Sequence, residues 1–220
     1  MVLVSHKYKF IYIKNLKVAG SSVESFFGRY CIDPNKNYSY DDDINEHIDD
    51  YGIIGQREDG KKSIPQEEMA IGWQNHKEAQ DIKRDLGGDK FNEYFKFCVI
   101  RNPYDKMVSW YHWYIFTNKI PPNYPFNHFC RFSKINNFYI HGIDGESVCD
   151  YFIRFENLEE DIIKLCNKLG IKDYDIDLLP KHKSGVRPKD SGYREYYDEI
   201  TRKLVYNNHK EEFELFGYEF

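Results

Sequence analysis

The run "KNLKVAGSSVE", Lys14 to Glu24, carries residue types suited to gripping an anion. Lys17 offers a positive charge, Gly20 lets an anion approach the backbone, and Ser21 and Ser22 can donate hydroxyl bonds. Where such a loop opens a helix, unpaired N–H groups and the helix dipole add to the hold. The lysine stands before the glycine, whereas an ATP- or GTP-binding P-loop puts it after the last glycine, beside Ser or Thr. A second set lies in "FKFCVIRNPYDKMVSWY". The guanidinium fork of Arg101 matches two oxygens of a terminal phosphate, and Ser109 follows two helical turns later. His76, in "WQNHKEAQDI", has an imidazole whose ordinary pKa suits general-base work. Each motif alone also fits a plainer role: a capped helix after a strand, a surface ion pair, a surface or capping histidine.

These groups need a scaffold that brings them to one place. Lys7 to Ile13 ("KYKFIYI"), Tyr94 to Ile100 ("YFKFCVI") and Asp150 to Phe155 ("DYFIRF") are short, apolar and β-prone, and read as buried strands. Helical patterns follow them. Val23, Phe26, Phe27 and Tyr30 recur at helical spacing, with Ser21 and Glu24 set as a capping box. Asn102 suits an N-cap and Pro103 the first helical position, ahead of a face formed by Val108, Tyr111, His112 and Ile115. "NHKEAQDIKRDLGG" predicts a short helix closed by Gly87 and Gly88. Leu158, Ile162, Leu165 and Leu169 predict another, ended by Gly170, and a last helix is expected around Asp198 to Phe216. Strands alternating with helices predict an α/β fold whose parallel sheet is covered on both faces. Ligands of such sheets bind beyond the carboxyl ends of strands. Lys17 and Arg101 both follow strand ends, so they are expected to converge on one ligand with two anionic groups. Between these elements, residues 31–73 suggest a hairpin or lid, with a solvated acidic loop at Asp41 to Asp43 and a turn at Asp59 to Lys62.

Composition narrows the partners. A formal charge of -5 argues against a general nucleic-acid binder. A small anion remains possible because Lys181, Lys183, Arg187, Lys189 and Arg194 gather positive charge in one loop, which is otherwise read as a solvated linker. The five cysteines show no CxxC or Cys/His ligand spacing, so neither a disulfide framework nor a zinc site is expected. Cys98 and Cys166 fall in apolar patterns and are expected to pack as small hydrophobes. No stretch approaches ~18 apolar residues, so the chain is expected to be soluble and cytoplasmic, or lumenal in the Golgi if it is a trimmed catalytic domain.

Together, "FIYIKNLKVAGSSVE" resembles the 5′-phosphosulfate loop of sulfotransferases, and "FKFCVIRNPYDKMVSWY" resembles their 3′-phosphate motif. The chain is more similar to the carbohydrate (Golgi-type) branch, with its VRNPYDRLVSxY pattern, than to the branch acting on phenols and steroids. "RFENLEEDI" and the ending "YREYYDEITRKLV…FELFGYEF" also resemble that branch. The resemblance covers most of the chain, apart from about Cys31 to Trp73 and Thr117 to Cys149.

That resemblance implies one domain over residues 1–220, a P-loop-like three-layer α/β fold with acceptor-side insertions around 31–73 and 117–149. It implies 3′-phosphoadenosine 5′-phosphosulfate (PAPS) as donor, with in-line transfer of its sulfuryl group to a hydroxyl on a carbohydrate and no metal. Lys17 would stabilise charge on the bridging oxygen as sulfate departs, in the manner of an oxyanion hole. Lys17, Val18, Ala19, Gly20, Ser21 and Ser22 would hold the 5′ side of the donor. Arg101 and Ser109 would take the 3′-phosphate and so distinguish PAPS from ATP. Lys183, Arg187 and Tyr193 belong to the region that in the family folds over the nucleotide. His76 occupies the region where related enzymes carry their catalytic histidine. Glu78 is a weaker alternative base, and His112 reads as core. Lys181 stands where the family often has a histidine after "LP", with His182 beside it. The family usually has Pro before the lysine and Thr or Ser after it, where this chain has Leu16 and Val18. The missing hydroxyl removes a contact worth about 1.5–3 kcal/mol if charge-assisted. Two other readings stay open: a P-loop kinase or NTPase, lacking GK[ST] and a clear magnesium-binding Asp, and a non-catalytic nucleotide-binding protein of the same fold.

Overall fold

The computed structural model describes residues 1–41, 45–57, 72–182, 185–188 and 192–220. Lys183, Lys189, the turn at Asp59 to Lys62 and most of the Asp41 to Asp43 loop lie outside the described residues. Two compact units form, Met1–Ile100 with Tyr139–Pro180, and Arg101–Phe138 with Lys181–Phe220.

The strands, in chain order, are β1 (Leu3–Ser5), β2 (Phe10–Tyr12), β3 (His47–Asp49), β4 (Gly52–Ile54), β5 (Phe95–Ile100), β6 (Gly142–Ile143), β7 (Glu146–Ser147) and β8 (Tyr151–Arg154). The helices are α1 (Gly20–Phe27), α2 (Ala79–Leu86), α3 (Gly88–Glu93), α4 (Pro103–Phe116), α5 (Phe126–Phe132), α6 (Phe138–His141), α7 (Leu158–Leu169), α8 (Glu199–Asn208) and α9 (Lys210–Phe216).

In the first unit a six-stranded sheet has the order β3-β4-β1-β2-β5-β8, while β6 and β7 form a separate hairpin. β2, β5 and β8 are parallel, with Ile11 opposite Lys96 and Cys98 opposite Phe152. The other half of the sheet is antiparallel, which corrects the expectation of a purely parallel sheet. The cause is chain length. "KYKFIYI" is not one strand, because residues 6–9 turn and leave only Phe10–Tyr12 extended. So short a link can only return the chain antiparallel, whereas a parallel neighbour needs a crossover of a dozen residues or more. The segment expected as a hairpin or lid contains the β3–β4 hairpin on the sheet edge.

Phe10, Tyr12, Phe97, Val99 and Ile153 form one core with Val23, Phe26 and Phe27 of α1 and Ile162, Leu165 and Cys166 of α7. The Phe27 and Phe97 ring centroids are 5.1 Å apart. Ile11, Ile13, Cys98 and Ile100, which alternate with that set, are buried too. Both faces of the parallel half are therefore covered, as the continuous apolar runs predict. α7 ends at Gly170, whose φ of 69° is the left-handed geometry of a helix C-terminus.

In the second unit Asn102 caps α4 by accepting the Tyr104 N–H at 3.0 Å, with Pro103 in the first turn, as predicted. Tyr104, Met107, Tyr111, Phe129, Val205 and Phe213 form its core. The single helix expected around Asp198 to Phe216 is two, α8 and α9. Asp198 caps the first of them through the Thr201 N–H at 2.6 Å. The break falls at His209, where φ is -127°. Beyond it, Glu212 grips the fully buried Lys106 ammonium, with Oε2 at 2.6 Å.

Candidate active site

The loop expected to hold an anion follows β2 directly. Ile13 still donates its N–H to Phe97 O at 2.9 Å, and Asn15 ties the loop to β5 by donating to Val99 O at 3.0 Å. Between those two residues, Lys14 turns inward and sets its Nζ 2.8 Å from Glu24 Oε2, with side chains 7% and 0% exposed. Burial works to raise the Glu24 pKa, but Lys14 and the Met1 amino group outweigh it and hold it below the usual carboxylate range. Glu24 is thus not half of a capping box. Ala19 occupies the N-cap, and no side chain caps the helix. A signal for this pair was present: Glu24 lies on the same face of α1 as Gly20 and Phe27, four positions before it and three after.

Gly20 packs where the sequence suggested open approach. A Cβ placed there would meet the Lys14 methylenes at 3.0 Å and the Tyr12 hydroxyl at 3.2 Å. Its absence lets the start of α1 settle onto the end of β2. The turn itself is made by Lys17 and Ala19, both left-handed, with φ of 61° and 62°. Each costs about 1–2 kcal/mol for a residue bearing a Cβ. Val18 between them is fully buried in the core, which accounts for an apolar residue where the resemblance expects a hydroxyl. Ser21 and Ser22 lie in the first turn of α1 and are 8% and 3% exposed.

His76 comes to this same loop. Its Nδ1 lies 2.9 Å from the backbone carbonyl oxygen of Lys14, and its own φ is 60°. A carbonyl can only accept, so Nδ1 carries the proton and Nε2 keeps its lone pair. Burial, then the Lys14 charge, push its pKa down to about 3. The ordinary value expected from sequence is thereby displaced, and the ring is neutral over the physiological range. Glu78 is exposed at the N-cap of α2.

In the second unit, Arg101 is 9% exposed and holds Asp105 Oδ2 through Nε at 2.8 Å and a terminal nitrogen at 2.7 Å. Arg187 reaches Oδ1 of the same carboxylate at 2.5 Å. Asp105, which sequence reasoning passed over, therefore gathers two of the predicted donor-binding residues. Its spacing of four from Arg101, the helical ion-pair distance, was the available signal. Ser109 lies a further four positions along α4 and is half-buried. His112 is not simple core, because its Nε2 lies 2.8 Å from the Tyr196 hydroxyl. Tyr193 packs edge-on to Phe220 at 6.1 Å, and its hydroxyl accepts from the Asn102 amide at 3.5 Å. Lys181 and Arg194 are exposed, and Arg194 lies over the Tyr193 ring at 4.8 Å. Lys183 is outside the described residues.

Among the described residues, no helix is long and apolar enough to cross a membrane. The chain is 35% identical over 101 residues to an uncharacterised protein of Archaeoglobus fulgidus, a match spanning 42% of this chain and 81% of the relative. No solved structure matches it significantly. A family model described as "Sulfotransferase family" matches residues 1–219. With its strand–loop–helix start and mixed α/β sheet, the chain belongs to the sulfotransferase family.

Proposed function

We propose that this sulfotransferase uses PAPS as donor and passes its sulfuryl group to a carbohydrate hydroxyl by in-line displacement. The observation that carries the reading is His76, a neutral imidazole tethered by Nδ1 to the loop that presents Lys17. His76 Nε2 takes the proton of the acceptor hydroxyl as the acceptor oxygen bonds to sulfur. Lys17 meets the negative charge that collects on the phosphate oxygen as the sulfur–oxygen bond breaks. Backbone N–H groups from Val18 to Ser22 hold the 5′ side, with Val18 contributing no side-chain bond. Arg101, Ser109, Arg187 and Tyr193 are assigned to the 3′-phosphate and nucleotide, and Lys183 is assigned with them from sequence alone. The drawn transfer asks for no metal, because Lys17 supplies the compensating charge.

Acceptor recognition is assigned to residues 31–73 and 117–149, as insertions in a single 1–220 domain. Of the aromatic candidates there, Trp73 is buried, and Tyr124 and Phe126 pack against the second unit's core. Tyr139 is 71% exposed and free to stack on a sugar ring.

The test is thermal stability with adenosine 3′,5′-bisphosphate and, separately, with ATP plus Mg²⁺. At 100 times its dissociation constant a ligand adds about 2.7 kcal/mol. That corresponds to a rise of roughly 5–11 °C for a chain of this size. A rise with the bisphosphate alone supports the donor assignment. A rise with ATP alone would return the kinase reading, and bisphosphate binding without turnover of PAPS on any glycan would favour a non-catalytic nucleotide binder.

A further inference from the structure

Cys98, His141 and Cys149 are scattered in sequence but meet in the first unit, where one ligand atom from each lies within 4.8 Å of the other two. Their placement is set by regular structure. Cys98 sits in β5, directly opposite Phe152 of β8. Cys149 stands two residues before β8, and the next residue, Asp150, donates its N–H to Lys96 O at 2.7 Å, continuing that pairing. His141 ends α6, and its carbonyl accepts the Val148 N–H at 2.9 Å across the base of the β6–β7 hairpin. Its ring packs edge-on against Phe152 at 6.0 Å.

Ser147 joins the group from behind. Its Oγ lies 2.9 Å from His141 Nδ1 and accepts the Cys149 N–H at 3.3 Å. One hydroxyl thus orients both hairpin residues and holds Nδ1, so coordination falls to Nε2, a buried atom. A hydrogen bond to the second ring nitrogen is what fixes the tautomer of a metal-ligating histidine.

We propose that Cys98, His141 and Cys149 bind one Zn²⁺ ion, which pins the β6–β7 hairpin to the sheet. Two thiolates and an imidazole are a soft donor set suited to zinc and unsuited to Mg²⁺ or Ca²⁺, which take oxygen ligands. Around a tetrahedral zinc ion such ligand atoms lie about 3.5–3.8 Å apart, so a small side-chain rotation closes the set. Cys98 and His141 are buried, while the half-buried Cys149 gives an entry path and a fourth position for water. Each coordinating thiol gives up its proton on binding. None of the three residues is assigned to the donor or to proton transfer. Although His141 and Cys149 close the 117–149 segment assigned to the acceptor, metal binding is read out without turnover, so the two proposals stand or fall separately.

The full chain, purified under reducing conditions and stripped by chelator, is titrated with Co²⁺ alone. The expected result is about one ion per chain, with thiolate-to-cobalt charge-transfer absorption and tetrahedral visible bands, both displaced by Zn²⁺. Cys149→Ser, at the half-buried position, removes the charge-transfer signal of one thiolate while circular dichroism is kept. Ser147→Ala weakens affinity roughly 10–100-fold without removing a ligand. A folded wild-type protein with no thiolate band would overturn the proposal. So would unchanged Co²⁺ binding in Cys149→Ser, or a Cys98–Cys149 disulfide in protein prepared with Zn²⁺ present.

Discussion

The Nδ1 atom of His76 lies 2.9 Å from the carbonyl oxygen of Lys14, 62 positions earlier in the chain. That one bond joins the segment before α2 to the loop between β2 and α1 and decides which ring nitrogen keeps its lone pair. Lys14 also supplies, through its ammonium, part of the field that keeps the ring neutral. The same residue thus orients His76 with its backbone and depresses its basicity with its side chain.

A test follows from that double role. With a folded pKa of about 3 against 6.5 unperturbed, His76 stays unprotonated in the native state while the unfolded chain gains a proton. Its contribution to stability is therefore complete above pH 6.5 and is lost as pH falls from 6.5 toward about 3. An NMR titration of the His76 ring checks this, and adenosine 3′,5′-bisphosphate, being anionic, should raise the midpoint. His76→Asn, whose amide can still donate to Lys14, should lower kcat about 10²–10⁴-fold with bisphosphate binding kept. Normal turnover in that variant would remove His76 from the mechanism.

Arg101 offers a second test, because Arg187 also pairs with Asp105 and should keep that carboxylate engaged when Arg101 is replaced. Arg101→Lys keeps the charge and loses the fork. Bisphosphate affinity should fall by about 1.5–3 kcal/mol, or roughly 10–150-fold, as read by isothermal titration calorimetry. Equal affinity in the lysine variant would mean that the guanidinium geometry is not used on the anion.

Gly20→Ala should destabilise the fold by about 1–3 kcal/mol in urea denaturation, because the new Cβ presses on Lys14 and on Tyr12. Gly88→Ala is the matched control. Nothing lies within 4 Å of its added Cβ, and a lost glycine there should be neutral or stabilise by about 0.4–1 kcal/mol. Equal effects at both sites would refute the packing role of Gly20.

Beneath α4, the Lys106–Glu212 pair is buried, with His209 Nδ1 3.5 Å from the same carboxylate. Burial alone would raise the Glu212 pKa, but Lys106 and His209 bring it to about 2. Its stabilising contribution is present above the unperturbed 4.5 and lost as pH falls toward about 2. Lys106→Met should cost about 3–5 kcal/mol by leaving a buried carboxylate alone, and Glu212→Leu added to it should recover most of that loss. Chemical denaturation of the single and double variants measures both.

Local chemistry made part of this molecule legible. A strand, a lysine-bearing loop and a helix start are neighbours in the chain, so their order could be read from "FIYIKNLKVAGSSVE". Asn102–Pro103 and Gly170 were equally readable, because caps depend on the backbone of a few adjacent residues. Arg101 and His76 could be named as chemistry-bearing, and Asp105 stood at ion-pair spacing from Arg101, but the partners Arg187 and Lys14 could not be named. The mixed sheet was missed because seven β-prone residues in "KYKFIYI" look like one strand, while the turn at residues 6–9 is imposed by pairing with β1.

The sequence by itself determined most of the helices and the buried strands β5 and β8, the caps at Asn102 and Gly170, and which residue types are at hand for chemistry. These follow from backbone preference and hydrophobic period over a few positions. Tertiary structure alone decided that Lys14 faces Glu24 and His76, that Asp105 joins Arg101 to Arg187, and that Cys98 meets His141 and Cys149. Such pairs form where the packing of distant strands and helices leaves buried charges and polar atoms that must find one another, and no local pattern records which partner will be within reach.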